Sequence, residues 1–199
     1  MTKIDFSTLK SQEPKEYSEI SYTSVMSLFN YLPWGDGTNI DQITNSLLNL
    51  KTKDTGKFWL RTKAVTFFTN AIKGQLSGLK CDSDKVCCIV PSHQKDGLSE
   101  GMMQVMGGII TDFDFKNTGN LLKRKTTVAK SATGGDRSLQ HHIDSIEVTD
   151  AAFVKGKVVY LFDDISSTGN SLAACKSLLL TAGATQVVMI SLGQTVADI

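Results

Sequence analysis

The sequence predicts an α/β fold, a mostly parallel sheet flanked by helices, and three observations predict it. The runs Lys85-Val86-Cys87-Cys88-Ile89-Val90, Val158-Val159-Tyr160-Leu161-Phe162 and Gln186-Val187-Val188-Met189-Ile190-Ser191-Leu192 are apolar almost throughout, as strands buried on both faces must be. Two of them lead into polar loops and then into apolar residues spaced at three and four, the period of a helix. The strand, helix, strand order recurs, which implies right-handed crossovers to parallel neighbours and a Rossmann-like arrangement.

A chain of 199 residues is expected to form one domain with a sizeable core. Residues 81–199 read as that core, and residues 1–80 as an N-terminal elaboration or hood. Lys and Arg number 21 against 20 Asp and Glu, for a net charge of +1, and the one block of like charge is Lys123-Arg124-Lys125. Neither a nucleic acid nor a membrane is expected as a partner. The start, Met1-Thr2-Lys3-Ile4-Asp5-Phe6, has no apolar signal core, and nothing approaches the roughly 18 apolar residues of a membrane span. A soluble, cytoplasmic protein is expected. Cys81, Cys87, Cys88 and Cys175 contain no Cys-x-x-Cys pair and read as small buried hydrophobes in a reducing compartment.

In chain order, residues 1–36 alternate loosely through Tyr17, Ile20, Tyr22, Val25, Met26, Leu28, Phe29 and Tyr31, which favours strands or a hairpin before the turn Pro33-Trp34-Gly35-Asp36-Gly37. From Thr38 the pattern is helical, with Ile40, Ile43, Leu47, Leu48 and Leu50 on one side and Asp41 near its start. Residues 51–57 read as a loop. A second helix spans roughly 58–77, where its aromatic stripe, Phe58, Trp59, Phe67 and Phe68, is expected in the core. The strand at 85–90 runs into Pro91-Ser92-His93-Gln94-Lys95-Asp96-Gly97, and a helix follows through Met102, Met103, Met106 and Ile110. Residues 111–155 are the longest region without regular pattern. They carry the cationic cluster at 123–125, the two-glycine hinge Ser131-Ala132-Thr133-Gly134-Gly135-Asp136-Arg137-Ser138 and His141-His142, whose adjacent side chains diverge and make poor metal ligands. Ile143, Ile146 and Val148 lead into a strand or edge with Phe153 beside it. The last helix runs from Ser171 to about Thr181 and ends at Gly183, a natural C-terminal cap.

The stretch with chemistry is Val158 to Leu172. An apolar strand ends in Asp163-Asp164, followed by Ile165, the small hydroxyl residues Ser166, Ser167 and Thr168, Gly169, Asn170 and Ser171, and then a helix. Such a loop aims backbone amides and hydroxyls at an anion on the positive end of a helix dipole. The two carboxylates face something else, a ribose diol or a magnesium ion. Diol plus phosphate describes a ribose 5-phosphate. An ATPase loop would end in Gly-Lys-Ser or Gly-Lys-Thr, and neither Gly56-Lys57-Phe58 nor Gly156-Lys157-Val158 does so.

Four apolar residues, Asp-Asp, a short spacer, Thr-Gly, one residue and Ser resemble the phosphoribosyl pyrophosphate (PRPP) motif of type I phosphoribosyltransferases. Over roughly residues 85–195 the chain is most similar to the ComF-like, amidophosphoribosyltransferase-related branch, where the first core strand ends in proline and a helix carrying Gln follows, as Gln104 does here. The resemblance implies a Mg2+-dependent displacement of pyrophosphate from PRPP by a base or amine. Asp163 and Asp164 would hold the ribose hydroxyls, with Arg137 as the third catalytic residue, and Ile165 to Ser171 would grip the 5-phosphate. Ser92, His93, Lys95, Arg124 and Lys125 would meet the pyrophosphate, the last two with Arg137 on a flexible loop that closes over the ligand. A magnesium ion would come mainly with PRPP and touch Asp163 and Asp164 at most. The resemblance leaves a homodimer open and also admits a binding or regulatory protein that keeps the pocket without turnover. Two departures stand: the N-terminal third lacks the four-cysteine module common in the ComF-like branch, and no glutaminase domain opening on a Cys precedes the core. The acceptor is unnamed, and a specificity hood would have to come from the N-terminal third.

Overall fold

The computed structural model describes residues 13–16, 21, 23–32, 42–52, 55–77, 84–117, 121–129 and 138–196. The expectations for Tyr17, Ile20, Tyr22, Asp41, Cys81, Arg137 and the turn at 33–37 fall outside these residues. Five strands form one parallel sheet: β1 (Met26–Tyr31), β2 (Lys85–Ile89), β3 (Lys116–Asn117), β6 (Val158–Ser166) and β7 (Gln186–Thr195), in the order β1-β7-β6-β2-β3. Two more, β4 (Leu122–Arg124) and β5 (Ile146–Val148), pair antiparallel by themselves. The predicted fold class, a mostly parallel α/β sheet with flanking helices, is the one observed.

The apolar runs are strands because both of their faces are covered. Successive side chains alternate between two cores. Cys87, Tyr160, Phe162, Val188 and Ile190 join the cluster under α1 (Gln42–Leu50), α2 (Phe58–Leu76) and α3 (Glu100–Gly107). Val86, Cys88, Leu161, Val187 and Met189 join the cluster under α6 (Asn170–Thr181), where Leu172, Cys175 and Leu179 face inward. Adjacent Cys87 and Cys88 therefore point to opposite faces, and burial pushes the Cys87 thiol up to about 11 and Cys88 well above its ordinary value.

β2 leaves through α3 to β3 on one side, while β6 leaves through α6 to β7 on the other. The boundary between β2 and β6 is thus the topological switch point, where the loops at the strands' C-terminal ends diverge and open a crevice. Helix α6 stops in a Schellman motif: Ala184 N–H donates to Leu179 O (3.1 Å), and Gly183 N–H to Leu180 O (2.9 Å). Gly183 has φ +101°, as this cap requires.

Met26–Tyr31 is a strand, one of the two readings of residues 1–36, and pairs with β7 in the main sheet. Two expectations change. The described residues of 111–155 form β3, β4, α4 (Leu139–Ser145), β5 and α5 (Ala151–Val154), elements too short to leave a periodicity. The aromatic stripe is only half core: Phe68 is fully buried, but Phe58 and Trp59 are 53% and 54% exposed, lying under the cations of Arg61 and Lys63.

Candidate functional site

β6 does not end at its acid pair. Asp163 stays in register with Ser191 and Ser166 with Gln194, so the carboxylates lie within the last turn of sheet and the loop proper is Ser167, Thr168 and Gly169. Gly169 has φ +78° and caps α6 with no side-chain hydrogen bond. A left-handed residue here costs a side chain dearly and a glycine little. The first turn of a 12-residue helix therefore presents its amides toward the loop. Beneath Gly169, Ser166 is 3% exposed, and its Oγ is buried with no hydrogen-bond partner. A buried hydroxyl left unpaired costs about 1–3 kcal/mol, a cost that an arriving acceptor removes.

The loop is braced from β7. Gln194 Nε2 donates to Ser167 O (3.0 Å), and Gln194 Oε1 accepts from Ser27 Oγ (3.2 Å), which in turn lies 2.6 Å from Ser191 Oγ. Thr168 Oγ1 accepts from Asn170 N–H at 3.4 Å. Ser171 Oγ lies 3.3 Å from His142 Nε2, where α4 packs on α6. His142 is thus a buried neighbour of the cradle, joined to it by a contact between elements that local sequence pattern does not reveal.

Strand alternation sends the two acids to different sides. Asp164 meets Lys51, whose Nζ is 3.0 Å from Asp164 Oδ2, with side chains 47% and 17% exposed. Asp163 Oδ1 accepts the Asp164 N–H at 2.9 Å, and its charge is felt by Arg124 and Cys175 on the α6 side. Burial, then the Asp164 charge, raises the Asp163 carboxyl well above its usual range, against the pull of Lys51, the Asp164 amide and Arg124. For Lys51, burial works downward, but the charges and hydrogen bond of the acid pair outweigh it and hold the ammonium above its ordinary value. Lys51 is a site residue that the sequence reading assigned to a loop. Its one local signal is a cation just past an amphipathic helix end.

The second wall of the crevice is the turn after β2. Ser92 N–H donates to Gly97 O (2.9 Å), Gly97 N–H to Gln94 O (3.0 Å) and Gln94 N–H to Ser92 Oγ (3.3 Å). The turn is stitched to the next segment by Asp96 N–H to Arg124 O (3.1 Å), Lys95 N–H to Thr127 Oγ1 (3.0 Å) and Val128 N–H to His93 O (2.9 Å). Arg124, expected on a flexible closing loop, is instead in β4 and 3% exposed. Its Nε donates to Ser92 O (2.7 Å) and its Nη1 to Ser145 Oγ (2.6 Å), so it is a fixed tie between β4, α4 and the turn. Lys95 and Lys125 have exposed side chains. The structure brings Ser92, His93, Lys95 and Arg124 together, and sets the loop at 166–171 at the end of the neighbouring strand.

Among the described residues no group of three His, Cys, Asp or Glu could hold a metal ion. Two diverging carboxylates, one of them already paired with Lys51, fit a hard cation only as extra oxygen ligands to an ion that a substrate brings. Among the described residues no helix is long and apolar enough to cross a membrane. A groove of about 350 Å3 runs between α1 and α2, lined by Asn45, Asn49, Trp59, Lys63 and Phe67 among others. It contains none of the crevice residues at 92–97, 124 or 163–171, nor Lys51.

Among solved structures, the chain is similar to a phosphoribosylpyrophosphate synthetase from Mycobacterium smegmatis, at 21% identity over 68% of this chain and 34% of that one, with a TM-score of 0.38. It is also similar to a hypoxanthine phosphoribosyltransferase from Staphylococcus aureus (14% identity, 79% of this chain and 70% of that one, TM-score 0.36). A purine phosphoribosyltransferase from Pyrococcus horikoshii matches at 12% identity over 70% of this chain and 88% of that one, with a TM-score of 0.37. The chain spans about a third of the length of the synthetase. No protein-family profile matches the chain, and no curated protein does.

Proposed function

We propose that the protein binds PRPP and transfers its ribose 5-phosphate to a nitrogen nucleophile, a base or an amine. The observation that carries this reading is the cradle between β6 and α6: a helix start whose N-cap is a left-handed glycine with no side chain, and a buried hydroxyl lacking a partner, next to two carboxylates at the switch point. In the reaction the C1–N bond forms as the C1–O bond to pyrophosphate breaks, and the bonding pair leaves with pyrophosphate.

Ser167, Thr168, Gly169, Asn170 and Ser171 grip the 5-phosphate, with Ile165 and Ser166 beneath them. Asp163 and Asp164 hold the ribose hydroxyls, and the pair, with one carboxylate ionised, places negative potential near the positive charge that develops on the sugar. Positioning and preorganised charge of this kind lower a barrier by several kcal/mol without a covalent intermediate. The wall of Ser92, His93 and Lys95, anchored by Arg124, receives the pyrophosphate together with Lys125 and Arg137. Asp163 and Asp164 are the residues that would touch a magnesium ion brought by PRPP, and such an ion would supply charge neutralisation on the leaving group.

A second reading, a regulatory protein that senses PRPP or a nucleotide, draws support from one observation. Arg124 and the turn at 92–97 are already bonded to each other, so the pyrophosphate wall is at rest without ligand. Incubation with PRPP, Mg2+ and a panel of bases and amines, read by pyrophosphate release, tests the proposal. Release that depends on one acceptor is expected. Binding of PRPP without release for any acceptor selects the sensor, and no binding removes both.

A further inference from the structure

His142 is far from the cradle in sequence and against it in space. It belongs to α4, where that helix packs on α6, and is 5% exposed. Its Nε2 lies 3.3 Å from Oγ of Ser171, in the first turn of α6. The proposed reaction gives this imidazole no task.

The imidazole stands on a fixed base. Upstream, Ser138 caps α4: its Oγ accepts from His141 N–H (3.2 Å) and its carbonyl from His142 N–H (3.3 Å). Downstream, Ser145 Oγ shares its proton between the carbonyls of His141 (2.7 Å) and His142 (3.3 Å), and accepts from Arg124 Nη1 (2.6 Å). Arg124 in turn donates to Ser92 O (2.7 Å). One short helix thereby touches both turns of the crevice, the wall through Ser145 and Arg124, the cradle through His142. The Ser171 hydroxyl can rotate to suit its partners, so it takes the orientation that the fixed ring imposes.

A serine hydroxyl has one proton to give and two lone pairs with which to accept. The oxygens of a phosphate dianion are acceptors. For Ser171 to donate to such an oxygen, its contact with His142 has to run from Nε2–H to Oγ. A bare Nε2 would instead take the serine's proton and leave the lone pairs of Oγ facing the anion. Which nitrogen carries the proton therefore decides whether Ser171 helps or repels the ligand.

We propose that His142 is a positioning residue of the anion cradle, whose Nε2–H donates to Ser171 Oγ and turns the hydroxyl proton of Ser171 toward the phosphate. The inference rests on the ribose-phosphate reading of the same site.

The test is calorimetry of ribose 5-phosphate on the full chain, in the wild type, His142→Leu, His142→Gln, Ser171→Ala and the double variant His142→Leu with Ser171→Ala. His142→Leu should weaken binding about tenfold, the worth of one oriented hydrogen bond to a charged acceptor. In the Ser171→Ala background the same change should cost less than about twofold, because the imidazole acts through the hydroxyl. His142→Gln places an amide N–H near the position of Nε2 and should recover most of the loss. Thermal unfolding checks that each variant folds. Nitrogen NMR of the wild type saturated with ribose 5-phosphate should show a proton on His142 Nε2, the signal among three histidines that His142→Gln removes. Unchanged affinity in His142→Leu, an equal loss with and without the Ser171 hydroxyl, or no recovery in His142→Gln overturns the inference. A bare Nε2 in the complex overturns it even where a variant fails to fold. Failure of the wild type to bind ribose 5-phosphate at all instead removes the reading of the site on which the inference stands.

Discussion

The turn at 92–97 and the turn at 167–169 follow adjacent parallel strands, yet they have used their hydrogen-bonding groups differently. The first is closed on itself and tied to β4, with Ser92 O, His93 O, Lys95 N–H and Asp96 N–H all engaged by the 124–128 segment. Among the described residues the second is braced only at Ser167 O and by one long bond from Asn170 N–H to Thr168 Oγ1, and it sets a glycine-capped helix start above a buried hydroxyl with no partner. On the proposed function, one turn is a wall and the other a receptor. Their neighbourhood teaches that the chain invests rigidity on the side where a leaving group would press and keeps polar capacity in reserve where an anion would dock. Each of the following experiments would break or sharpen that contrast.

The largest effect is expected at the wall. Arg124→Met strips Ser92 O and Ser145 Oγ of buried, charge-assisted bonds, and should lower stability by about 3 kcal/mol in urea unfolding. A loss below about 1 kcal/mol would mean that the wall is not built on this residue. Next comes the receptor's backbone. Gly169→Val places a β-branched residue at φ +78°, costing about 2 kcal/mol and weakening anion binding through the displaced loop.

The pH dependence of stability is smaller and has a definite sign. Because Asp163 is raised well above its ordinary value by burial and then by the Asp164 charge, the folded chain keeps this proton where the unfolded chain has released it. Its contribution to stability is therefore lost as pH rises from about 4 through the folded value. Asp163→Asn should flatten that decline in a series of melting curves and raise the midpoint at neutral pH. An unchanged slope would show that Asp163 does not titrate as a buried group.

The smallest stability effect belongs to Ser166→Ala. Deleting a hydroxyl that lacks a partner should leave stability within about 1 kcal/mol of the wild type or raise it. The same change should cost affinity for a phosphate-bearing ligand, the opposite of what a purely structural serine would do.

Much of this arrangement was legible in the sequence. β2, β6 and β7 are buried on both faces, so their apolar runs announce them, and Gly183 announces the end of α6. The loop from Asp163 to Ser171 was visible because its chemistry is contiguous. What stayed hidden depends on distance along the chain. The Lys51–Asp164 pair joins α1 to β6, and the Arg124 tie joins β4, α4 and the turn after β2. No local period encodes such contacts. The cation cluster at 123–125 resembled a solvated lid for the same reason: Lys123 and Lys125 are exposed, and only strand alternation turns Arg124 inward between them. Phe58 and Trp59 share the composition of a core stripe but stand in the first turn of α2 with more than half their surface exposed.

The central claim is that the turn between β6 and α6 receives the phosphate of a ribose 5-phosphate. Calorimetric titration of the wild type and of Ser166→Ala with ribose 5-phosphate, and of the wild type with ribose, tests it most directly. The account predicts saturable binding of ribose 5-phosphate to the wild type, none of ribose over the same range, and weakened binding of the phosphate ester to Ser166→Ala at unchanged stability. Absence of binding, or equal binding by the two proteins, would contradict it.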